Sequence, residues 1–277
     1  MKELRPKLWG IASRLGGTVG LVIQHLESGE ELLLHPDEVF PAASVIKIAI
    51  LAEAMRQCEA GLLPLNTTLR LAAKDVVGGS GVLLELHPEL ELTIEDLLRL
   101  MIVVSDNTAS NMLLNKLWLE NVALSLTKWG LTASKIRRKF FDYKARAMGL
   151  ENFITPREMA RLLGMMVRGE LPRSQVMLDL LARCQDRSKM ALYFPEEQRI
   201  AHKSGENEGV RHDVGVVYSA GESPRPLFIF CALTKDQTNV VATDQIIGRL
   251  CRLVYDHIVE GNSEHKGNNT LVMRQNM

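Results

Sequence analysis

A chain of 277 residues can bury a sizeable core, as one large domain or two small ones. Its 46% hydrophobic and 24% charged residues are those of an ordinary soluble globular protein. Lysine plus arginine and aspartate plus glutamate are equal at 33 each, and aromatics are 5% and not interleaved with basic clusters. Neither a global field nor a base-stacking surface therefore points to nucleic acid or an anionic membrane as partner.

Met1 to Trp9 is charged and lacks the apolar core and small-residue cleavage site of a signal peptide. No stretch approaches the roughly 18 apolar residues of a membrane span. A cytoplasmic location is expected on this reading; a chain trimmed of its leader, secreted or periplasmic, would read the same. Cys58, Cys184, Cys231 and Cys251 are scattered, with no C-x-x-C pair and no histidine at zinc-ligand spacing. They read as buried free thiols, with neither metal nor cofactor expected.

In chain order, residues 2–14 have apolar positions at helical spacing. Thr18–Gln24 and Glu31–His35 read as strands joined by the turn Glu27-Ser28-Gly29. Pro41-Ala42-Ala43 leads into the apolar run Val45–Met55, which reads as a buried helix. From about Leu62 the pattern is helical: a glycine-rich loop at 75–81 without the Lys-Ser/Thr of a phosphate loop, then Thr93 with Asp96 as a capping box before LLRLMIVV. Another helix covers Thr108–Leu119, and Thr155-Pro156 opens the next with proline in the first turn. After Leu171 strands return at 197–204, 212–219 and 227–233, with turns at Gly209 and 221–226. A helix over Val240–Val259 closes the fold, and the polar tail 261–277 is expected to be disordered.

The fold class is therefore α+β. Residues 1–260 are expected to form one domain, in which an antiparallel sheet with flanking helices (about 1–60 and 171–260) carries a helical lobe (about 61–170), with a crevice between them.

Three short motifs bear chemistry. Ser44 and Lys47 lie three residues apart, on one face of a helix, so that the amine can reach the hydroxyl. Serine needs a neighbouring base to become a nucleophile, and lysine can be one when burial lowers its pKa. Ser105-Asp106-Asn107 falls between two helices, and Lys203-Ser204-Gly205 ends a strand. Together and in this order they resemble the signature of class A β-lactamases and penicillin-binding proteins, over about residues 18–259.

The resemblance implies the β-lactamase/transpeptidase-like fold and assigns roles. Ser44 is the nucleophile that is acylated, Lys47 its proton acceptor, and Ser105 the relay to the departing nitrogen. Asn107 binds a substrate amide, and Lys203 and Ser204 bind a carboxylate. Gly205 admits the substrate to the backbone, and the N–H groups of Ser44 and Glu206 form the oxyanion hole. Asp106 reads as structural, and His202, His212 and Asp213 as packing or supporting groups. The resemblance breaks at 137–155, which lacks the Glu-x-x-x-Asn that activates the deacylating water in class A enzymes. The acids there are Asp142 and Glu151, and Asp142 is the better spare base, because Glu151-Asn152 can serve as a cap. The expected function is hydrolysis of β-lactams or a related amide or ester through an acyl-enzyme. The alternatives are a D-alanyl-D-alanine carboxypeptidase or esterase, and a sensor that stays acylated. The partner in each case is a small molecule.

Overall fold

The computed structural model describes residues 1–274, with nothing said of the side chains of Lys2 and 261–274. Its N-terminal part holds helix α1 (Arg5–Ala12), strands β1 (Thr18–His25), β2 (Glu31–Leu34) and β3 (Phe40–Pro41), and helix α2 (Lys47–Glu59). Next come β4 (Thr68–Arg70), β5 (Glu91–Thr93), α3 (Ile94–Val103), α4 (Asn107–Leu117), α5 (Leu119–Lys128) and α6 (Tyr143–Ala147). They are followed by β6 (Phe153–Ile154), α7 (Pro156–Val167) and α8 (Ser174–Leu181). The chain closes with β7 (Ile200–Asn207), β8 (Val210–Tyr218), β9 (Pro226–Lys235) and α9 (Val240–Arg274).

Five strands form one antiparallel sheet in the order β2-β1-β9-β8-β7. The hairpin near the N-terminus thus pairs with the last strand of the C-terminal meander β7-β8-β9, and the chain between hairpin and meander is inserted between the two parts of the sheet. Side chains alternate across a strand. Ile229, Cys231 and Leu233 face one hydrophobic cluster with the central helices. Phe228, Phe230 and Ala232 face another with α1 and α9. Both faces are covered, which is why these strands read as continuous apolar runs. The edge strand β7 packs against the turn that carries Ser44.

Helix α2 is buried on every side from Lys47 to Met55, as a central helix apolar all round must be. The capping box at Thr93 and Asp96 forms, and Thr155 caps α7 through the Glu158 N–H. Helix α7 packs on β1, β8 and β9, so it belongs with the sheet although its sequence position placed it in the helical lobe. The last helix also differs: it runs to Arg274 rather than ending at Val259, with glycines but no proline to break it. The expected disordered tail thus bears on residues whose side chains, and for 275–277 also backbone, lie outside the described ones. Among the described residues no helix is long and apolar enough to cross a membrane.

Candidate active site

The chain leaves β3, turns through Ala43 at φ 44°, and enters a 3-10 turn, Ala43–Ile46, that carries Ser44 directly into α2. A positive φ at a non-glycine residue is held only where the surroundings enforce it. Here the Ala42 N–H donates to Asn152 O at 2.8 Å, and His212 Nε2 bonds Pro41 O at 2.8 Å. Gly205 on β7 closes the elbow from the other side. A Cβ at that position would lie 3.1 Å from Ser44 N and 3.2 Å from Val45 Cγ2, so glycine permits the approach.

Lys47 is fully buried. Its Nζ lies 2.7 Å from Ser105 O, 2.8 Å from Asn107 Oδ1 and 3.1 Å from Ser105 Oγ, and 4.6 Å from the Phe140 ring centroid. Burial pushes the Lys47 amine well below its ordinary value, and Lys203 adds to this against the opposing charge of Asp106. The amine donates to Ser105 O, Asn107 Oδ1 and Ser105 Oγ, so all three contacts tie it to the 105–107 loop. The direct Ser44–Lys47 hydrogen bond expected from the spacing is not formed among the described residues. The amine is drawn instead to the Ser105 loop, which offers it three acceptors.

That loop is rigid by construction. Ser105 stands at φ 56°. Asp106 is buried and saturated: Oδ2 accepts from the N–H groups of Val82 (2.7 Å) and Leu83 (2.9 Å), and Oδ1 from Ala109 (2.8 Å), capping α4. This is the structural role its sequence position suggested, extended to a second loop. Asn107 Nδ2 donates to Gly78 O at 3.1 Å, so Asn107 ties the glycine-rich loop to Lys47.

Ser44 lies where two lobes of one cleft meet. One, of about 200 Å³, is lined by Ser80, Asn107, Phe140, Tyr143, Arg146 and Glu151 among others. The other, of about 370 Å³, is lined by Ser105, Cys184, Asp186, Lys203, Ser204 and Gly205 among others. Glu206 borders both. The structure therefore brings Ser44, Lys47, Ser105, Asn107, Lys203, Ser204, Gly205 and Glu206 together. It does not bring Asp142 to them. Asp142 caps the short helix α6 by accepting from Ala145 N at 2.9 Å, and it lines neither lobe. Glu151, read as a cap, is the acid of this loop that lines the cleft. Its Oε1 accepts from Arg138 Nη2 (2.6 Å), Arg138 Nε (3.0 Å) and Asn152 N (2.8 Å), whereas Oε2 has Arg146 Nε at 3.6 Å.

The Lys203 end contains groups that sequence reasoning missed. Lys203 is buried and donates to Ser204 O at 2.9 Å; burial lowers its pKa against the opposing charges of Cys184, Asp213 and Asp186. Lys189, also fully buried, pairs with Asp186 at 3.0 Å and with Glu206, and these carboxylates together with Asp213 hold its pKa above the ordinary value despite burial. Such partners come from residues far apart in the chain and carry no motif. Of the four cysteines, Cys231 and Cys251 are buried as expected, whereas Cys58 and Cys184 are only partly so.

The family model for the β-lactamase enzyme family matches residues 3–258. The chain belongs to the β-lactamase enzyme family. It is a β-lactamase-like serine hydrolase with that fold. A β-lactamase from Sphaerobacter thermophilus is 32% identical, covers 92% of this chain and 97% of its own, and superposes with a TM-score of 0.84. The protein PBP-A is 28% identical, with coverage of 94% and 97% and a TM-score of 0.83. β-Lactamase OXY-2 of Klebsiella oxytoca is 24% identical over 258 residues, 91% of this chain and 88% of that one.

Proposed function

We propose that this hydrolase opens the amide bond of β-lactams, or of a related amide or ester, through an acyl-enzyme on Ser44. The observation that carries the reading is the buried Lys47 amine, its pKa lowered by burial, bonded to Ser105 Oγ beside the cleft that Ser44 and Ser105 line. The Ser44 hydroxyl gives up its proton to this Lys47–Ser105 pair as Oγ attacks the carbonyl. The backbone N–H groups of Ser44 and Glu206 stabilise the oxyanion, and Ser105 returns a proton to the departing nitrogen. Lys203 and Ser204 receive a substrate carboxylate. Similar proteins support this chemistry: a leucine-to-glutamate variant of PBP-A, 27% identical to this chain, has been solved as an acyl-enzyme complex with penicillin G.

Water activation falls to Glu151 rather than Asp142, since its Oε2 is the less committed oxygen of an acid that lines the cleft. Its other oxygen is fully engaged, which favours slow deacylation and hence the penicillin-binding or sensor alternative over rapid turnover. Ser44→Ala should abolish covalent labelling by a β-lactam, read by intact-protein mass spectrometry. Labelling that survives would remove Ser44 from the mechanism. Glu151→Gln should lengthen the lifetime of the adduct by about tenfold or more, within the usual range for a general base; an unchanged lifetime would return that role to another group.

A further inference from the structure

The Lys203 end of the cleft holds a chain of groups that the Ser44 chemistry does not use. Asp213 is completely buried, with Oδ2 accepting from Met190 N at 3.0 Å and Oδ1 bonded to His202 Nδ1 at 2.9 Å. His202 is buried on β7, opposite Gly215 on β8. A Cβ on Gly215 would lie 2.5 Å from His202 Cβ, so glycine makes room for the ring. With Nδ1 committed to Asp213, Nε2 is the nitrogen left for Cys184, which interacts with this histidine. Cys184 in turn lines the cleft lobe shared by Ser44, Ser105, Lys203 and Ser204. A sulfur, an imidazole and a buried carboxylate in sequence is the arrangement that makes and stabilises a thiolate. The electrostatics agree. Burial pushes the Cys184 thiol up, but His202 and Lys203 bring it below its ordinary value, and Asp213 and Cys184 hold His202 well above its own against burial.

We propose that Cys184 is a thiol–disulfide exchange site, oriented by His202 and Asp213, through which a small disulfide reversibly blocks the Lys203 end of the cleft. The Cys184 thiolate attacks one sulfur of R–S–S–R. The Cys184 S–S bond forms, the R–S bond breaks, and R–S⁻ leaves and takes a proton from solvent. The enzyme sulfur is oxidised as the departing one is reduced, and one thiol is released per chain. The retained R group then occupies the space beside Ser204 that a substrate carboxylate needs. The two buried cysteines cannot compete: burial and Asp213 keep Cys231 and Cys251 well above the ordinary thiol range. Cys58 has the Arg173 guanidinium near it and lies on α2, outside both cleft lobes.

The test treats the native protein with dithiodipyridine and follows release of thiopyridone, with peptide mass mapping of the labelled cysteine. The expected result is one fast equivalent on Cys184, absent from Cys184→Ser and slowed about tenfold in His202→Asn, as loss of thiolate stabilisation predicts. A fast equivalent on Cys58, or a Cys184 no faster than Cys58, overturns the proposal, and this reading of the wild type does not depend on either variant folding. The labelled protein should also acylate on Ser44 at least about tenfold more slowly with a β-lactam, with recovery after dithiothreitol; an unchanged rate overturns the block. That last step rests on the acyl-enzyme reading. Absence of acylation in unlabelled protein would sink the acyl-enzyme reading and leave the thiol count to decide the exchange site.

Discussion

Lys47 shows how much of the site's chemistry one buried side chain carries. A lysine with no carboxylate partner survives at full burial because three acceptors of the 105–107 loop satisfy it, and the same burial makes it a base. Lys47→Met, which keeps the apolar volume and removes the amine, should reduce the rate of Ser44 acylation by about 100- to 10,000-fold, the usual range for an acid–base group, with the fold retained. Mass spectrometry of the time-dependent adduct checks it; a rate within a few-fold of wild type would exclude Lys47 as the proton acceptor. His212 acts on the same elbow from behind. Its Nδ1 accepts from the Thr234 N–H at 3.1 Å, so Nε2 carries the proton and donates to Pro41 O. Burial lowers its pKa to about 4, from an ordinary 6.5. The folded state thus refuses a proton that the unfolded state accepts, and stability should be lost as the pH falls from about 6.5 to about 4. The share due to this residue is about 3 kcal/mol at most. His212→Gln should flatten that part of the pH–stability curve in denaturant titrations; an unchanged slope would refute the assignment.

At the scale of elements, the site depends on glycine-rich loop 78–82 being held to the start of α4. Gly81 has φ +124°, and a Cβ there would lie 2.3 Å from Asp106 Oδ2 and 2.6 Å from its Cα. Gly81→Ala should therefore displace the carboxylate that three N–H groups share, destabilise the fold by about 2–4 kcal/mol, and slow acylation through Ser105 and Asn107. Thermal melting with acylation kinetics measures both; a variant as stable as wild type would mean that the loop does not brace the site. Side-chain caps mark some of the helices that could be read from sequence, whereas α1 and α2 lack one and were read from their apolar residues alone. The starts at Thr93, Asp106 and Thr155 carry side-chain caps, and those helices stood out. Helices α5 and α8 begin at Trp118 (φ 65°) and Arg173 (φ 55°) with no side-chain cap, and both escaped notice: the first was cut off at Leu119 and the second was passed over between helical and strand patterns.

Across the whole molecule, the sheet was legible because β8 and β9 are buried on both faces and their turns carry glycine, while the strand order depended on the pairing of β1 with β9, which no local pattern encodes. The three motifs were legible because each is contiguous, and the fold brings them to one cleft. What escaped was what depends on distant register: Lys189 with Asp186 and Glu206, the Cys184–His202–Asp213 chain, and Glu151 rather than Asp142 at the cleft. The central claim is that Ser44 is acylated and slowly released. It is tested most directly by following a chromogenic cephalosporin and the intact mass of the protein in the same samples, with Ser44→Ala in parallel. The account predicts one adduct per chain that maps to Ser44, persists beyond the first turnover and is absent from the variant. No adduct on the wild type, or one that forms equally on the variant, would contradict it.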